Sequence, residues 1–210
     1  MEAAILPRIG GLRAERRAAT RDAIVAGTLS LVAEGGWSVA SMHDVARRAG
    51  VATGTLYRHF PSKSELLAEV FAEAAARELA VVADIAGRPA PGPLRRLRAA
   101  IEAFAHRANA APTLAYALMA EPADPAVEAA RLANKRAYAG VFAALLEEAA
   151  AAGEIAPLDT GVAAAAIVGA LQEALLGPLA HGRAGPRLVA ELVTFTINAV
   201  GGAPHGHDPA

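Results

Sequence analysis

Two short helices joined by a glycine constrain the fold of this 210-residue chain more than any other stretch of it. The run from Ser41 to Asp44 has the form of a capping box, which predicts a helix that begins there and ends at Gly50. Thr53 is placed to cap a second short helix, and Pro61 closes it because proline disfavours helical backbone in the residue before it. The sequence therefore predicts two consecutive short helices with a tight turn between them.

The residues around this turn fit a helix-turn-helix. Such a motif needs a small residue where the helices approach, a turn residue that tolerates left-handed backbone, and inward-facing apolar side chains. Ala46 meets the first requirement and Gly50 the second. The inward apolar positions are Val45, Ala49, Val51 and Leu56.

The outward face of the second helix carries hydroxyl, aromatic and basic side chains and no acid. It consists of Thr53, Thr55, Tyr57, Arg58 and His59, with Gly54 leaving room for a close backbone approach. Hydroxyls and a phenol bond phosphate oxygens, and threonine methyls can contact thymine, so this face is typical of a helix in the major groove of DNA. Lys63, at the start of the next helix, adds a positive charge where the helix dipole already favours anions.

Several of these residues have a plainer interpretation. Tyr57 and Phe60 could both be core aromatics; this suits Phe60, whereas Leu56 already takes the inward direction beside Tyr57. Arg47 is compatible with either a solvated charge or a DNA contact. The cluster of Arg13, Arg16 and Arg17 is compatible with either a phosphate-binding arm or a solubilising charge.

The net charge of −1 conceals an asymmetry along the chain. Residues 1–63 hold nine basic and five acidic side chains, and the remainder holds eleven basic and sixteen acidic ones. This pattern is expected if only the first part of the chain meets a polyanion.

The rest of the chain is predicted to be helical. A first helix covers residues 15–34, a second capping box at residues 62–65 opens a long helix to about residue 86, and further helices follow at about 94–109, 112–120, 125–152, 159–180 and 186–200. No alternating strand pattern competes, so we expect an all-α fold of about nine helices.

The expected organisation is a flexible arm over 1–14, a DNA-binding domain over 15–63, a body over 64–202 and a disordered tail over 203–210. The loop at 87–93 is no domain boundary, because later helices must cover the apolar face of the helix before it.

Other classes of function find little support. With no cysteine, the chain has no disulfide, thiolate zinc site or thiol nucleophile, and its six histidines form no metal-binding pair. Paired carboxylates, a nucleophile elbow and a phosphate loop are absent from the sequence, so we predict no enzyme, no cofactor and no metal. There is no secretory signal and no stretch of about eighteen apolar residues, which indicates a cytoplasmic protein without a membrane partner.

The run DVARRAGVATGTLYRHFPSKSELL resembles the N-terminal DNA-binding region of the TetR family of bacterial transcriptional regulators, over about residues 20–71. The resemblance implies a three-helix head, a ligand-sensing helical body and a homodimer formed by the last two long helices. By position it implies DNA-facing roles for Ser41, Thr53, Gly54, Thr55, Tyr57, His59 and Lys63. Thr53 stands where serine is frequent in the family, and Met42-His43 where shorter polar residues are frequent, so the bases that are read stay open.

The last predicted helix is apolar on two faces, whereas a surface helix needs only one. Leu188, Leu192 and Phe195 lie on one of them, and Gly169 on the preceding helix permits close helix packing. These four residues are the predicted dimer interface; the alternative is a last helix buried within a monomer.

A small-molecule pocket is predicted in the body. Its candidate residues combine apolar walls with a few polar tips, the usual composition of such a site: Phe104, Met119, Asn134, Tyr138, Phe142 and Gln172. Each of them could instead be core filler. The leading hypothesis is a dimeric repressor that a small-molecule effector releases from its double-stranded DNA operator. The alternatives are a helix-turn-helix repressor without an effector and, less favoured by the residues, an all-α enzyme.

Overall fold

The computed structural model describes residues 6–181 and 185–201, and within them it contains nine α-helices and no strand. The helices are α1 (Leu6–Gly35), α2 (Met42–Arg48), α3 (Thr53–His59), α4 (Lys63–Ala86), α5 (Pro93–Ala110), α6 (Pro112–Met119), α7 (Pro125–Ala151), α8 (Thr160–Ala180) and α9 (Pro186–Ala199), with a 3-10 turn at Trp37–Val39. The all-α prediction is confirmed, and the segments predicted from residue 94 onward agree with α5 to α9 to within one residue at each end.

Local capping sets the start of several helices. The Ser41 hydroxyl accepts a hydrogen bond from the Asp44 amide at 3.1 Å, and Ser62 accepts one from the Glu65 amide at 3.1 Å, so both predicted capping boxes place their helices correctly. The prediction that Thr53 caps α3 is wrong. Ala52 holds that position, because its carbonyl accepts from the Leu56 amide at 3.1 Å, and Thr53 becomes the first helical residue. Its hydroxyl is thereby left on the outer surface of α3.

Helix α1 is longer than the sequence predicts. It begins at Leu6 rather than near residue 15, so the segment 6–14, expected within a flexible arm, is helical. Residues 1–5 of that arm and the predicted tail at 203–210 lie outside the described residues.

Two hydrophobic cores share helix α4. Leu66, Val70 and Phe71 pack in the core of the head (α1 to α3 with the start of α4), whereas Val82 and Ala86 pack in the core of the body (α5 to α9 with the end of α4). The loop between α4 and α5 is therefore no break between the two halves.

Helix α8 is by length and composition apolar enough to cross a membrane, with a mean hydropathy of 1.6 over its most apolar window. The sequence-based expectation that no segment reaches this level is corrected. Ala164, Ile167, Leu171 and Leu175 of this helix are buried in the body core, but only 39% of the apolar window is buried within the single chain.

The head and body meet at the C-terminal end of α6. The Glu121 carboxylate accepts hydrogen bonds from the backbone amides of Trp37 at 2.9 Å and Ser38 at 3.3 Å, and the Trp37 indole donates to the Ala117 carbonyl at 2.8 Å. From the other side Arg131 of α7, only 7% exposed, donates to the carbonyls of Ala117 (3.1 Å), Leu118 (3.0 Å) and Glu121 (2.8 Å). We call this set of hydrogen bonds the α6 junction.

Arg131→Leu is expected to lower the free energy of unfolding by about 2 to 4 kcal/mol, because the carbonyls of Leu118 and Glu121 lose the Arg131 donor and the Ala117 carbonyl keeps only the Trp37 indole. Urea denaturation followed by circular dichroism measures the change. Arg136→Leu, on the exposed face of the same helix, is the matched control and should stay within about 0.5 kcal/mol of wild type. Equal midpoints for wild type and Arg131→Leu would contradict a stabilising role for this side chain.

Candidate nucleic-acid interface and ligand cavity

The turn between α2 and α3 fixes which face of α3 points outward. Gly50 has a φ of 67°, in the left-handed region that glycine adopts without strain, and the Val51 amide donates to the Ala46 carbonyl at 3.0 Å. Leu56 and Phe60 are fully buried beneath the helix. With these two anchors inward, the remaining residues of α3 form an outer face.

The predicted DNA-facing residues lie together on this side of the head. Thr53, Gly54, Tyr57, Lys63 and Arg47 are exposed, whereas Ser41, Thr55 and His59 are half-buried. Tyr57 is 48% exposed, which removes the core alternative for this aromatic side chain. Phe60 is the core aromatic of the pair, as predicted.

Asp44 engages two of the predicted residues inside the protein. Its carboxylate accepts from the Ser41 hydroxyl at 2.5 Å and from the Arg47 guanidinium at 2.9 Å. The Ser41 hydrogen bond lowers the pKa of Asp44, with smaller contributions from the charge of Arg47 and of His43. Asp44 thus holds Ser41 and Arg47 in place at the N-terminal edge of the interface.

The C-terminal end of α3 is held by Arg21 of α1. Its Nε donates to Glu69 at 2.9 Å, its Nη1 donates to the His59 carbonyl at 3.1 Å, and its guanidinium lies 4.3 Å from the centroid of the Phe60 ring. Sequence reasoning missed this residue, since Glu69 lies 48 positions away and no local spacing announces the pair.

This end of α3 is also strongly positive. Burial lowers the pKa of His59, and the charges of Arg17, Arg21 and Arg58 lower it further. Three guanidinium groups are therefore close enough to one imidazole to disfavour a fourth positive charge, an arrangement suited to a polyanion.

A cavity lies between α4, α5, α6, α7 and α8 of the body. Its volume, counted as the space that admits a water-sized sphere, is about 60 Å³, and a smaller space of about 10 Å³ adjoins it. Five of the predicted ligand residues line the larger space (Phe104, Met119, Asn134, Tyr138 and Gln172), and Phe142 lines the smaller one. Phe104, Tyr138 and Gln172 line both, so the structure brings all six side chains together.

Polar groups face this cavity without partners. Among the described residues, no hydrogen bond reaches the Tyr138 hydroxyl or the side-chain amides of Asn134 and Gln172. Burial raises the pKa of Tyr138, whose side chain is 4% exposed, and the Glu78 carboxylate raises it further while Arg107 opposes it. Tyr138 is thus a neutral phenol that can donate one hydrogen bond to a ligand.

Sequence reasoning missed the charged pair at the cavity wall. The Arg107 guanidinium donates to the Glu78 carboxylate at 2.7 Å, from α5 to α4, and both side chains are partly exposed. The apolar wall also includes Ala75, Leu114 and Leu118, which carry no sequence signal beyond ordinary helix periodicity. No group of three or more histidine, aspartate or glutamate side chains that could hold a metal occurs in the described part of the chain.

The predicted dimer residues divide into two groups. Phe195 is 59% exposed, Gly169 is exposed and Leu188 is half-buried, whereas Leu192 is only 6% exposed within a single chain. The placement of Leu192 at the dimer interface is therefore corrected. It belongs to a broad buried stripe on α9 that also includes Val189, Val193, Thr196 and Ile197.

Comparisons with known proteins agree with this architecture. The family model described as "Bacterial regulatory proteins, tetR family" matches residues 24–70, and the model "Tetracyclin repressor-like, C-terminal domain" matches residues 90–194. A curated relative, "HTH-type transcriptional repressor KstR" of Rhodococcus jostii, is 39% identical over 100 residues, which cover 47% of this chain. The match spans 45% of that relative, less than half of its length.

Two solved structures share the fold. FadR from Bacillus subtilis in complex with stearoyl-CoA has a TM-score of 0.72 at 22% identity, covering 87% of this chain and 98% of that one. The fatty acid degradation regulator FadR from Bacillus halodurans also has a TM-score of 0.72 at 22% identity, covering 84% of this chain and 97% of that one. With one family model on the head and another on half of the chain in the body, the protein belongs to the TetR family of bacterial transcriptional regulators.

Proposed function

We propose that this protein is a dimeric repressor that binds operator DNA through α3 and leaves it when a mostly apolar small molecule occupies the body cavity. The observation that carries the proposal is a cavity with unpartnered polar groups whose wall, α6, is bonded at its end to the head. Such a regulator works where the chromosome is, so we assign it to the cytoplasm.

In this proposal α3 lies in the major groove. Thr53, Gly54, Thr55 and Tyr57 approach base edges and phosphates, and Lys63 contacts a phosphate at the start of α4. Ser41, Arg47 and His59 flank this contact on neighbouring phosphates. The symmetry of a dimer would place two copies of α3 about 34 Å apart, the spacing of successive major grooves.

The effector is proposed to be an elongated, largely apolar molecule with one polar end. Only about 60 Å³ of the body cavity admits a water-sized sphere, below the roughly 300 to 1,000 Å³ usual for small-molecule sites, so binding of the proposed effector would require the cavity to widen. The aromatic side chains of Phe104 and Tyr138 pack edge to face at 5.3 Å and form an apolar wall, while Tyr138, Asn134 and Gln172 supply hydrogen bonds. Because the FadR neighbour was solved with stearoyl-CoA, acyl thioesters are the first class to test.

Ligand binding in the cavity can change the position of the head only if the ligand binds one arrangement of the helices more tightly than another. Leu114, Leu118 and Met119 of α6 line the cavity, and the carbonyls of Ala117 and Leu118 belong to the α6 junction. A ligand that displaces α6 therefore strains the bonds to Trp37, which would change the position of the head and lower its affinity for the operator.

Tyr57→Ala is expected to weaken operator binding by about 1 to 3 kcal/mol, because the phenol no longer reaches the DNA, whereas the core residues Leu56 and Phe60 beneath the helix are unchanged. Fluorescence anisotropy with a duplex selected by the wild-type protein from random sequences measures the loss. Tyr57→Phe separates the hydroxyl from the ring, and Leu132→Ala, at an equally exposed apolar residue of the body, is the control. Unchanged affinity in Tyr57→Ala would remove this residue from the interface.

Phe195→Glu is expected to raise the dimer dissociation constant by at least tenfold, about 1.4 kcal/mol, because an exposed apolar side chain is replaced by a charge that the interface cannot hydrate. Light scattering over a concentration series measures the change. Leu132→Glu introduces the same charge on α7 and should leave the dimer intact. Leu192→Glu would instead unfold the chain, since Leu192 is a core residue. A stable Phe195→Glu dimer would place the interface elsewhere.

Stearoyl-CoA and stearic acid are the probes for the cavity. If either binds, it should release the selected duplex and raise the melting temperature, which should keep rising with the logarithm of ligand concentration above the Kd. Gln172→Leu should weaken both effects together, because it removes a hydrogen-bonding group from the apolar wall; Glu147→Gln, on the exposed face of α7, should not. If neither these probes nor a wider panel of apolar acids changes DNA binding, a repressor without an effector becomes the better interpretation.

A further inference from the structure

Residues 11–19 of α1 extend the helix beyond the core of the head. Each of them is exposed, and the first fully buried residue of the helix beyond them is Ile24. The segment continues a helix that is anchored in the head, so its side chains are displayed at fixed helical positions outside the core.

The exposed half carries its basic residues on one side. Arg13, Arg17 and Arg21 follow one another at intervals of four and continue at helical spacing into Ile24 and Thr28, which are fully buried in the head core. The face of α1 that is buried in the head core is therefore continued by a row of arginines where the helix leaves the head.

The charges of this segment are separated by sign. Arg16 lies beside Arg13 on the same side, whereas Glu15 and Asp22 point to the opposite side of the helix by the 3.6-residue period. A solubilising surface normally mixes both signs, so a row of one sign is better explained by a ligand of the opposite sign.

The arginine row runs toward the proposed DNA-facing surface. Arg21, at its inner end, donates to the His59 carbonyl at 3.1 Å and lies over the Phe60 ring, so the row begins at the C-terminal end of α3. Arg17 is near enough for its charge to act on the His59 imidazole. The row and the outer face of α3 therefore adjoin.

We propose that Arg13, Arg16 and Arg17 form a second DNA-binding surface, which contacts backbone phosphates beside the base pairs covered by α3. The proposal rests on the DNA binding proposed above. Guanidinium groups on a helix match phosphate oxygens without reading bases, so this surface adds affinity and salt dependence rather than sequence preference.

The reach of the row suits several phosphates. The row from Arg13 to Arg21 spans about 12 Å of helix at 1.5 Å per residue. Phosphates along one strand are about 3.4 Å apart along the duplex axis, so the row can lie across about three or four of them. A second copy of this chain is the wrong occupant, because two arginine rows repel each other.

Arg13, Arg16 and Arg17 changed together to alanine test the proposal in the full chain. Alanine keeps helix propensity, and these side chains pack on nothing, so circular dichroism and the melting temperature should match wild type. The affinity for a duplex selected by wild type is measured between 50 and 300 mM salt. The slope of log K against log salt should become shallower by about 0.9 for each phosphate that the variant no longer neutralises.

Two matched variants separate this surface from general charge. The set of Arg88, Arg95 and Arg136, all exposed on the body, changed to alanine removes the same charge and should leave the slope unchanged. Lysine at positions 13, 16 and 17 should restore most of the slope, because a phosphate also accepts a point charge. Hydroxyl-radical footprinting should show protected sugars outside the region covered by α3 for wild type and none there for the alanine variant.

Each result decides something. An alanine variant with the wild-type slope and footprint, on a duplex that wild type binds, overturns the second surface and leaves the proposed repressor intact. An equal loss of slope in the body variant also overturns it, since overall charge would then be the cause. If wild type selects no duplex at all, the proposed function fails and this inference falls with it.

Discussion

The C-terminal carbonyls of α6 need hydrogen-bond donors that α6 itself cannot supply, and much of this architecture depends on where those donors come from. The last carbonyls of any helix lack an intrahelical partner. Here the Ala117 carbonyl receives both the Trp37 indole from the head and the Arg131 guanidinium from α7. This backbone oxygen thus bonds to both halves of the protein, and Ala117 and Val127 also pack directly in the core of the head.

This arrangement gives the body cavity a route to the head. Helix α6 is short, with Leu114 and Leu118 on its cavity side and the α6 junction at its end. Packed elements with fixed hydrogen bonds shift between discrete positions rather than bend. Helix α4 adds a second connection, because Lys63 lies at its start and Glu78, fifteen residues later, lines the cavity about 22 Å away along the helix. If a ligand moves α4 and α6 apart, both helices therefore carry the displacement to the base of the head.

Local sequence signals predicted the parts of this structure that depend on neighbours along the chain. The capping boxes at Ser41 and Ser62 and the turn at Gly50 follow from local hydrogen bonds, and periodicity along α7 places Asn134 and Tyr138 on one face. Leu192 shows the limit of these local signals. In the sequence of an apolar helix, a face that packs inside the same chain cannot be distinguished from a face that is left exposed for a partner. Only the packing of α9 against α5 and α8 distinguishes the two faces. The structural roles of Arg21, Glu121 and Arg131 could not be predicted from the sequence. Arginine and glutamate are usually surface residues, and the partners of these three are distant in sequence or are backbone groups.

The charge distribution, finally, explains why the head and its N-terminal helix belong to one interface. The body is acidic, so its field opposes any approach of DNA except from the basic side of the head. On that side the exposed and half-buried groups of α3 are hydroxyls, a phenol, the Arg58 guanidinium and an imidazole whose protonation its surroundings disfavour. In the proposed complex the hydroxyls and the phenol would discriminate between sequences, while Arg58 is the one full charge that α3 itself adds to the attraction for DNA. In the proposed complex, arginines on the N-terminal part of α1 would supply long-range attraction without occupying the groove, so that α3 would be selected for the bases it reads while α1 would provide the affinity that does not depend on sequence.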